Sequence, residues 1–158
     1  MKIERITKTV HALTLSFSLL WLVLIVISPF LCRYEIFLSP FIYNFFSSLC
    51  HQLPSRCFYA AGLPMPVCSR CLGIYSGFLL GTLLYQFIKK WSDFSIPGFW
   101  VFAVFIFPVV MDTGGNLFGL WHTGAWIRFL IGGFWGTILP FYFIPGISEA
   151  VRMAKKRN

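Results

Sequence analysis

The 158-residue chain is 58% hydrophobic and 20% aromatic, and only 11% of its residues are charged. A soluble domain carries about 25% charged residues, so this chain has too little polar surface to cover itself in water. Its net charge of +8 comes mainly from lysines and arginines at the termini and in short connectors. That pattern suits lipid headgroups and forms no basic face for nucleic acid. We therefore expect a single integral membrane domain over residues 1–158, in contact with the lipid bilayer and, at its basic termini, with anionic headgroups.

Apolar stretches at about 10–31, 72–88, 97–111 and 125–144 are the candidates for crossing the membrane. A helix rises 1.5 Å per residue, so about 20 residues cover the roughly 30 Å hydrocarbon core. A cleaved signal peptide is the alternative for the first stretch, although that stretch is long and no small-residue cleavage site follows it. Residues 37–49 are also apolar but short, which indicates a re-entrant or interfacial helix. The predicted fold class is all-α, a polytopic membrane helical bundle of about four transmembrane helices plus this short helix.

The distribution of lysine and arginine predicts the orientation of the bundle. With four spans, the two termini and the connector at 89–98 share one side and carry nine of these residues, against three on the other side. Cytoplasmic loops carry the excess of positive charge. The sequence therefore predicts a multi-pass protein of the cell inner membrane with both termini in the cytoplasm and the cysteines at the outer face.

A cysteine- and histidine-containing loop at residues 50–71 is the main candidate site. It ends in Cys68-Ser69-Arg70-Cys71 at the start of the second span, where free backbone N–H groups and the helix dipole favour a thiolate. This spacing lets both sulfurs reach one metal ion or bond to each other. Thiolate and imidazole ligands suit zinc. The predicted metal ligands are Cys50, His51, Cys68 and Cys71, with zinc as the most plausible ion.

Three other interpretations of the cysteine loop stay open. The loop could hold a structural disulfide, as an oxidising outer compartment allows. It could instead belong to a membrane thiol–disulfide oxidoreductase that works with a quinone, with Cys50/Cys57 and Cys68/Cys71 as exchanging pairs. A transporter or channel component with a structural cysteine loop is the further alternative. Such a short chain would then need to form a homo-oligomer.

Glycines recur every four residues on one face of two predicted spans. Small residues at this spacing let helix backbones approach closely in lipid, so the second and fourth spans are expected to pack together. These glycines are Gly73, Gly77 and Gly81 in the second span and Gly132 and Gly136 in the fourth.

Arg128 lies on the same face of the fourth span as its glycines, which turns the charge toward the bundle interior. An ionisable residue at this depth is by default a functional hypothesis with a partner to name. Asp112, at the end of the third span, is the predicted partner. The alternative is an arginine that reaches out to the headgroups.

The cysteine loop and the residues that follow it resemble the motif of a family of bacterial predicted membrane proteins, domain of unknown function 2085. The likeness covers roughly residues 45–140 and implies a small polytopic membrane protein, without an established activity. Cys57 stands where the family has serine, and Asn116 stands in for a glutamine. The matching residues are Cys50-His51-Gln52, Arg56, Gly62, Pro66-Val67-Cys68, Arg70-Cys71, Gly73-Ile74-Tyr75, Gly77, Asp112 and Arg128. The residues expected to support the metal ligands or to contact a substrate are Gln52, Arg56, Arg70, Tyr75, Asp112, Asn116 and Arg128.

Overall fold

The structure, a computed structural model, describes residues 2–91, 93 and 95–157. The side chains of Lys2, Lys156 and Arg157, for which headgroup contacts are predicted, lie outside the described part. The elements are α1 (Lys2–Arg33), α2 (Leu38–Ser47), β1 (Cys57–Ala60), β2 (Leu63–Cys68), α3 (Ser69–Ile88), α4 (Phe99–Leu117), α5 (Ala125–Ile138) and α6 (Pro140–Arg157).

Four helical stretches are long and apolar enough to cross a membrane, which confirms the predicted helical bundle. They run over Glu4–Arg33, Ser69–Ile88, Phe99–Leu117 and Ala125–Lys155. Successive crossings bring α2, the hairpin of β1 and β2, and the starts of α3 and α5 to one end of the bundle. We call this end the cysteine end, because Cys50, Cys68 and Cys71 lie there.

Helix α4 is longer than the predicted third span, which ended at residue 111. The segment after residue 111 contains two adjacent glycines, each of which costs about 1 kcal/mol in a helix interior and so disfavours continuing the helix. The helix instead continues to Leu117, and the Asn116 amide donates to the Asp112 carbonyl at 2.6 Å across one turn. Gly115 is tolerated because the Trp121 ring occupies the space where a side chain would lie. Asp112 and Asn116 therefore lie on a helix and not in a loop.

The fourth crossing consists of two helices. Helix α5 ends at Ile138, and α6 begins at Pro140, the late interruption that the sequence shows. Proline fits the first turn of a helix because its missing N–H has no intrahelical partner there. Phe141 and Ile144 of α6 are buried with Val10 of α1 and Tyr85 of α3. The basic C-terminal segment, for which headgroup contacts are predicted, is part of α6.

The segment between α1 and α3 forms the short predicted helix and an unpredicted hairpin. At 1.5 Å per residue, the ten residues of α2 cover only about 15 Å. Strands β1 and β2 then pair antiparallel, with Cys57 opposite Cys68 and Ala60 opposite Leu63. The turn between them has positive φ angles at Ala61 and Gly62, as tight hairpin turns require. The prolines at 64 and 66 are compatible with this strand because a two-stranded hairpin has only edges.

The predicted glycine faces bring α3 and α5 into backbone contact. A methyl group added at Gly73 would overlap the carbonyl oxygen of Phe129, and one at Gly77 would overlap that of Gly133. From the other side, a methyl group at Gly132 would overlap the carbonyl oxygen of Arg70. The expected pairing of the second and fourth spans is confirmed. This contact sets the starts of α3 and α5 side by side at the cysteine end.

Candidate functional site

Three cysteines from separate elements converge at the cysteine end. Cys50 follows α2, Cys68 is the last residue of β2 and precedes α3, and Cys71 lies in the first turn of α3. Their sulfur atoms all lie within 4.8 Å of one another. Cys50 is buried, and the other two are half-buried. The surrounding cluster is apolar and includes Phe46, Val67 and Leu72, so water has little access from that side.

The backbone around these cysteines is fixed by hydrogen bonds. The Gln52 side-chain amide donates to the carbonyl of Tyr43 at 2.7 Å and to that of Pro66 at 2.8 Å. It thereby connects α2 with β2 across the cysteine cluster. The backbone N–H of Cys68 donates to the Cys50 sulfur at 3.1 Å. Gln52 was predicted as a supporting or substrate-binding residue, and the structure places it as a link between the elements that carry Cys50 and Cys68.

The thiols differ sharply in acidity. A hydrogen bond from the Cys71 thiol, with further bonds from Cys50 and the backbone, lowers the pKa of Cys68 to about 5. Burial, together with the nearby charges of Cys68 and Cys50, raises the pKa of Cys57 to about 11. Cys68 is therefore the more acidic thiol, and Cys57 holds its proton more tightly.

Three residues with potential ligand atoms, His51, Cys57 and Cys32, lie apart from the sulfur cluster. His51 follows Cys50 directly, but its side chain is exposed. Among the described residues, the potential metal-ligand atoms that come within 4.8 Å of one another belong to the three cysteines alone. Cys57 is buried, and its thiol donates to the Leu53 carbonyl at 3.2 Å. Cys32 is exposed at the end of α1. The structure thus brings together three of the four predicted ligands.

A polar network next to the cysteines contains most of the other predicted residues. Arg70 forms an ion pair with Oδ2 of Asp112. The Asn116 amide donates to Oδ1 of Asp112 at 3.0 Å, and the Arg128 guanidinium donates to the Asn116 side-chain oxygen at 2.6 Å. Asp112 and Arg128 are 5% and 9% exposed, so both charges are inside the protein.

The predicted ion pair between Asp112 and Arg128 is wrong. Asp112 pairs with Arg70, and Asn116 stands between it and Arg128. The physical reason is the extension of α4, which puts Asn116 one turn beyond Asp112 on the same face. Arg128 is bonded inward, which also excludes the alternative in which it reaches out to the headgroups.

The two remaining predicted residues, Arg56 and Tyr75, lie in different elements. Arg56 is exposed, in the short helical turn before β1. Tyr75 follows Cys71 by one turn of α3, is half-buried, and packs its ring edge-to-face with Trp21 at 5.8 Å. Neither side chain belongs to the group of sulfur ligands.

Thr123 is a member of the network that the sequence did not reveal. Its hydroxyl donates to Oδ1 of Asp112 and accepts from the Asn116 amide at 2.8 Å. Its backbone N–H donates to the Asn116 side-chain oxygen at 3.2 Å. A threonine just before a helix is common, so no local signal distinguishes it. Only the folding of the 118–124 segment back onto α4 brings it to Asp112.

Comparison with known proteins identifies the family. The pattern of the predicted membrane protein family DUF2085 matches residues 50–142, which is more than half of the chain. The chain therefore belongs to this family, and it is a multi-pass membrane protein. The matched region contains the cysteine cluster and the whole polar network. No solved structure matches the chain.

The chain is also similar to two uncharacterized archaeal proteins. One, from Methanocaldococcus jannaschii, is 39% identical over 115 residues, which cover 73% of this chain and 74% of the relative. The other, from Methanothermobacter thermautotrophicus, is 31% identical over 87 residues, covering 55% of this chain and 77% of the relative. Both organisms are archaea, so the expectation of a bacterial family is not borne out.

Proposed function

We propose that this membrane protein binds one zinc ion through the sulfurs of Cys50, Cys68 and Cys71. The observation that carries the proposal is the convergence of three sulfurs within 4.8 Å from three separate elements. A zinc ion binds thiolates at about 2.3 Å, so two sulfurs on one ion lie a little under 4 Å apart. The three sulfurs therefore need to move only slightly to share an ion.

The surroundings suit a metal-bound thiolate. The N–H of Cys68 donates to the Cys50 sulfur, and hydrogen bonds of this kind orient a metal ligand. The lowered pKa of Cys68 favours the deprotonated form that binds zinc. The apolar packing of Val67 and Leu72 limits exchange with water.

Three cysteines leave one position of a tetrahedral zinc ion for another ligand. His51 is the candidate that the sequence offers, since it is adjacent to Cys50 and its exposed side chain is free to turn. A water molecule or an external ligand is the other possibility. Structural zinc sites use four protein ligands, whereas reactive sites use three and keep one position open. The identity of the fourth ligand thus decides between a structural and a reactive zinc site.

Zinc binding is tested by elemental analysis of the full-length protein purified in detergent. We expect about one zinc ion per chain, and loss of zinc in Cys50→Ser, Cys68→Ser and Cys71→Ser. Cys57→Ser is the matched control, because this buried cysteine lies outside the cluster and should leave zinc bound. Protein that contains no zinc after purification and does not bind added zinc would contradict the proposal.

A second candidate function is thiol–disulfide exchange with a membrane quinone. The hydrogen bond between the thiols of Cys68 and Cys71, with a low pKa at Cys68, favours it. In this reaction Cys68 and Cys71 would form a disulfide and transfer two electrons to the quinone, which becomes a quinol by taking one proton from the Cys71 thiol and one from solvent. Zinc-free protein with a Cys68–Cys71 disulfide that forms on addition of a quinone would favour this function over zinc binding.

A further inference from the structure

The polar network beside the cysteines contains more positive than negative charge. Asp112 is the carboxylate of the network, and both of its oxygens are already used. Oδ2 pairs with Arg70, and Oδ1 accepts from Asn116 and Thr123. Arg128 has no carboxylate within ion-pair distance among the described residues, and it bonds to the neutral Asn116 amide instead.

Arg128 also has unused hydrogen-bonding capacity. It is 91% buried, and its Nε has no partner within the described part of the chain. The Nε of Arg70 is likewise buried without a partner. A buried polar group without a hydrogen bond costs free energy, and a buried charge without a counter-charge costs more. Two such groups, each on a buried or half-buried arginine, indicate that a ligand completes the network.

The charge balance around Arg128 specifies the sign of that ligand. The positive charges of Arg56 and Arg70 act on Arg128, and the carboxylate of Asp112 is already paired with Arg70. Two buried or half-buried arginines therefore share one carboxylate, and Arg128 has no ion-pair partner of its own among the described residues. The missing partner is an anion with at least one negative charge.

Helix α5 adds a further attraction for an anion at this place. It begins at Ala125, about one turn before Arg128, and its capping residue Gly124 has no side chain to satisfy the first N–H groups. The free N–H groups and the positive end of the dipole make a helix start a binding place for phosphate. Arg56 is exposed, and its positive charge acts on Arg128.

We propose that the cysteine end binds a phosphate group, held by Arg128 and Arg70 beside the start of α5, with Arg56 adding positive charge. Arginine matches the geometry of phosphate oxygens with paired N–H donors. A phosphodiester carries one negative charge, which would supply the counter-charge that Arg128 lacks. The phosphate belongs either to a phospholipid headgroup or to a soluble compound. The site does not depend on zinc, so the proposal stands apart from the proposed function.

The test uses the full-length protein in maltoside detergent, which contains no phosphate. Inorganic phosphate binding is measured by calorimetry. Lipid binding is measured by native mass spectrometry, which compares phosphatidylglycerol with diacylglycerol, a matched lipid without phosphate. Calorimetric binding of inorganic phosphate supports a soluble ligand, and retention of phosphatidylglycerol over diacylglycerol supports a lipid ligand. Binding of neither phosphate compound would overturn the proposal.

Variants separate a specific site from general attraction to a basic protein. Arg128→Gln should weaken binding by about tenfold or more, because it removes a charged donor. Arg56→Gln should weaken binding by a smaller factor. Since Arg56 is exposed, this variant should fold normally even if Arg128→Gln does not fold.

Arg33→Gln is the matched control, an exposed arginine at the same end whose guanidinium donates to the Ala61 carbonyl at 3.0 Å. Equal effects of Arg33→Gln and Arg56→Gln would contradict the proposal. Binding should persist in Cys68→Ser, which lacks the proposed zinc site.

Discussion

Arg70 of α3 forms an ion pair with Asp112 of α4, and this contact joins the cysteine motif to the third membrane crossing. Arg70 lies between Cys68 and Cys71 in the chain, so its position and that of the sulfurs depend on each other. The two side chains are 22% and 4% exposed. A pair this well shielded is costly to break, because the remaining charge has no partner.

We therefore expect Asp112→Asn to destabilise the fold by about 3 kcal/mol, since removal of one partner of a buried pair costs roughly 3–5 kcal/mol. The double variant Asp112→Asn/Arg70→Gln should be less destabilised than the sum of the two single variants. Unfolding in detergent, followed in a double-mutant cycle, measures the coupling. Glu4→Gln is the control, because it breaks an exposed pair with Lys8 and should change nothing measurable. Additive effects at Asp112 and Arg70 would contradict the observed pairing.

The close packing of α3 and α5 predicts opposite results at two neighbouring glycines. Gly132→Ala should destabilise the protein by roughly 1–3 kcal/mol, because its methyl group would overlap the Arg70 carbonyl oxygen. Gly133→Ala should be tolerated. Its added methyl carbon would lie 3.6 Å from the Gly73 carbonyl oxygen, which is an ordinary van der Waals distance. Thermal unfolding of the two variants side by side checks this. Equal stability of the two variants would contradict the close approach of α3 and α5.

The thiol acidities predict selective alkylation of zinc-free protein by iodoacetamide. At pH 7, Cys68 should react faster than Cys57, because the thiolate is the nucleophile and the pKa values are about 5 and about 11. The reaction of Cys68 should slow as the pH falls through about 5, where its thiolate is protonated. Peptide mass spectrometry after short labelling measures both sites. Faster labelling of Cys57 would contradict the assigned acidities.

The orientation of the protein in its membrane stays a prediction from the lysine and arginine distribution. Reporter fusions after Asn158 and in the connector between α3 and α4 should both give a cytoplasmic signal. The fold requires that these two positions share a side, since α4 and the α5–α6 stretch separate them by two crossings. Signals from opposite sides would contradict the four-crossing fold, and two external signals would invert the predicted orientation alone.

The parts of the fold that follow from local periodicity could be predicted from the sequence. Glycines spaced four apart identified the α3–α5 contact, and the same stripe turned Arg128 inward. Both inferences need only the helix repeat, which is independent of the rest of the chain.

Features that depend on contacts distant in sequence could not be predicted. Arg70 and Arg128 both lie near the end of α4, so the sequence alone does not decide which of them pairs with Asp112. The end of α4 was placed too early, because the packing of Trp121 on Gly115 compensates for the low helix propensity of glycine. The hairpin was missed because Pro64 and Pro66 discourage a strand unless that strand lies at the edge of a sheet, as β2 does.

X-ray absorption at the zinc edge, on full-length protein loaded with one zinc equivalent, tests the central proposal most directly. We predict three sulfur ligands at about 2.3 Å and one nitrogen or oxygen ligand at about 2.0–2.2 Å. Cys57→Ser should give the same spectrum, because Cys57 lies outside the sulfur cluster. A spectrum with no sulfur ligand, or with a fourth sulfur that disappears in Cys57→Ser, would contradict a zinc site built from Cys50, Cys68 and Cys71.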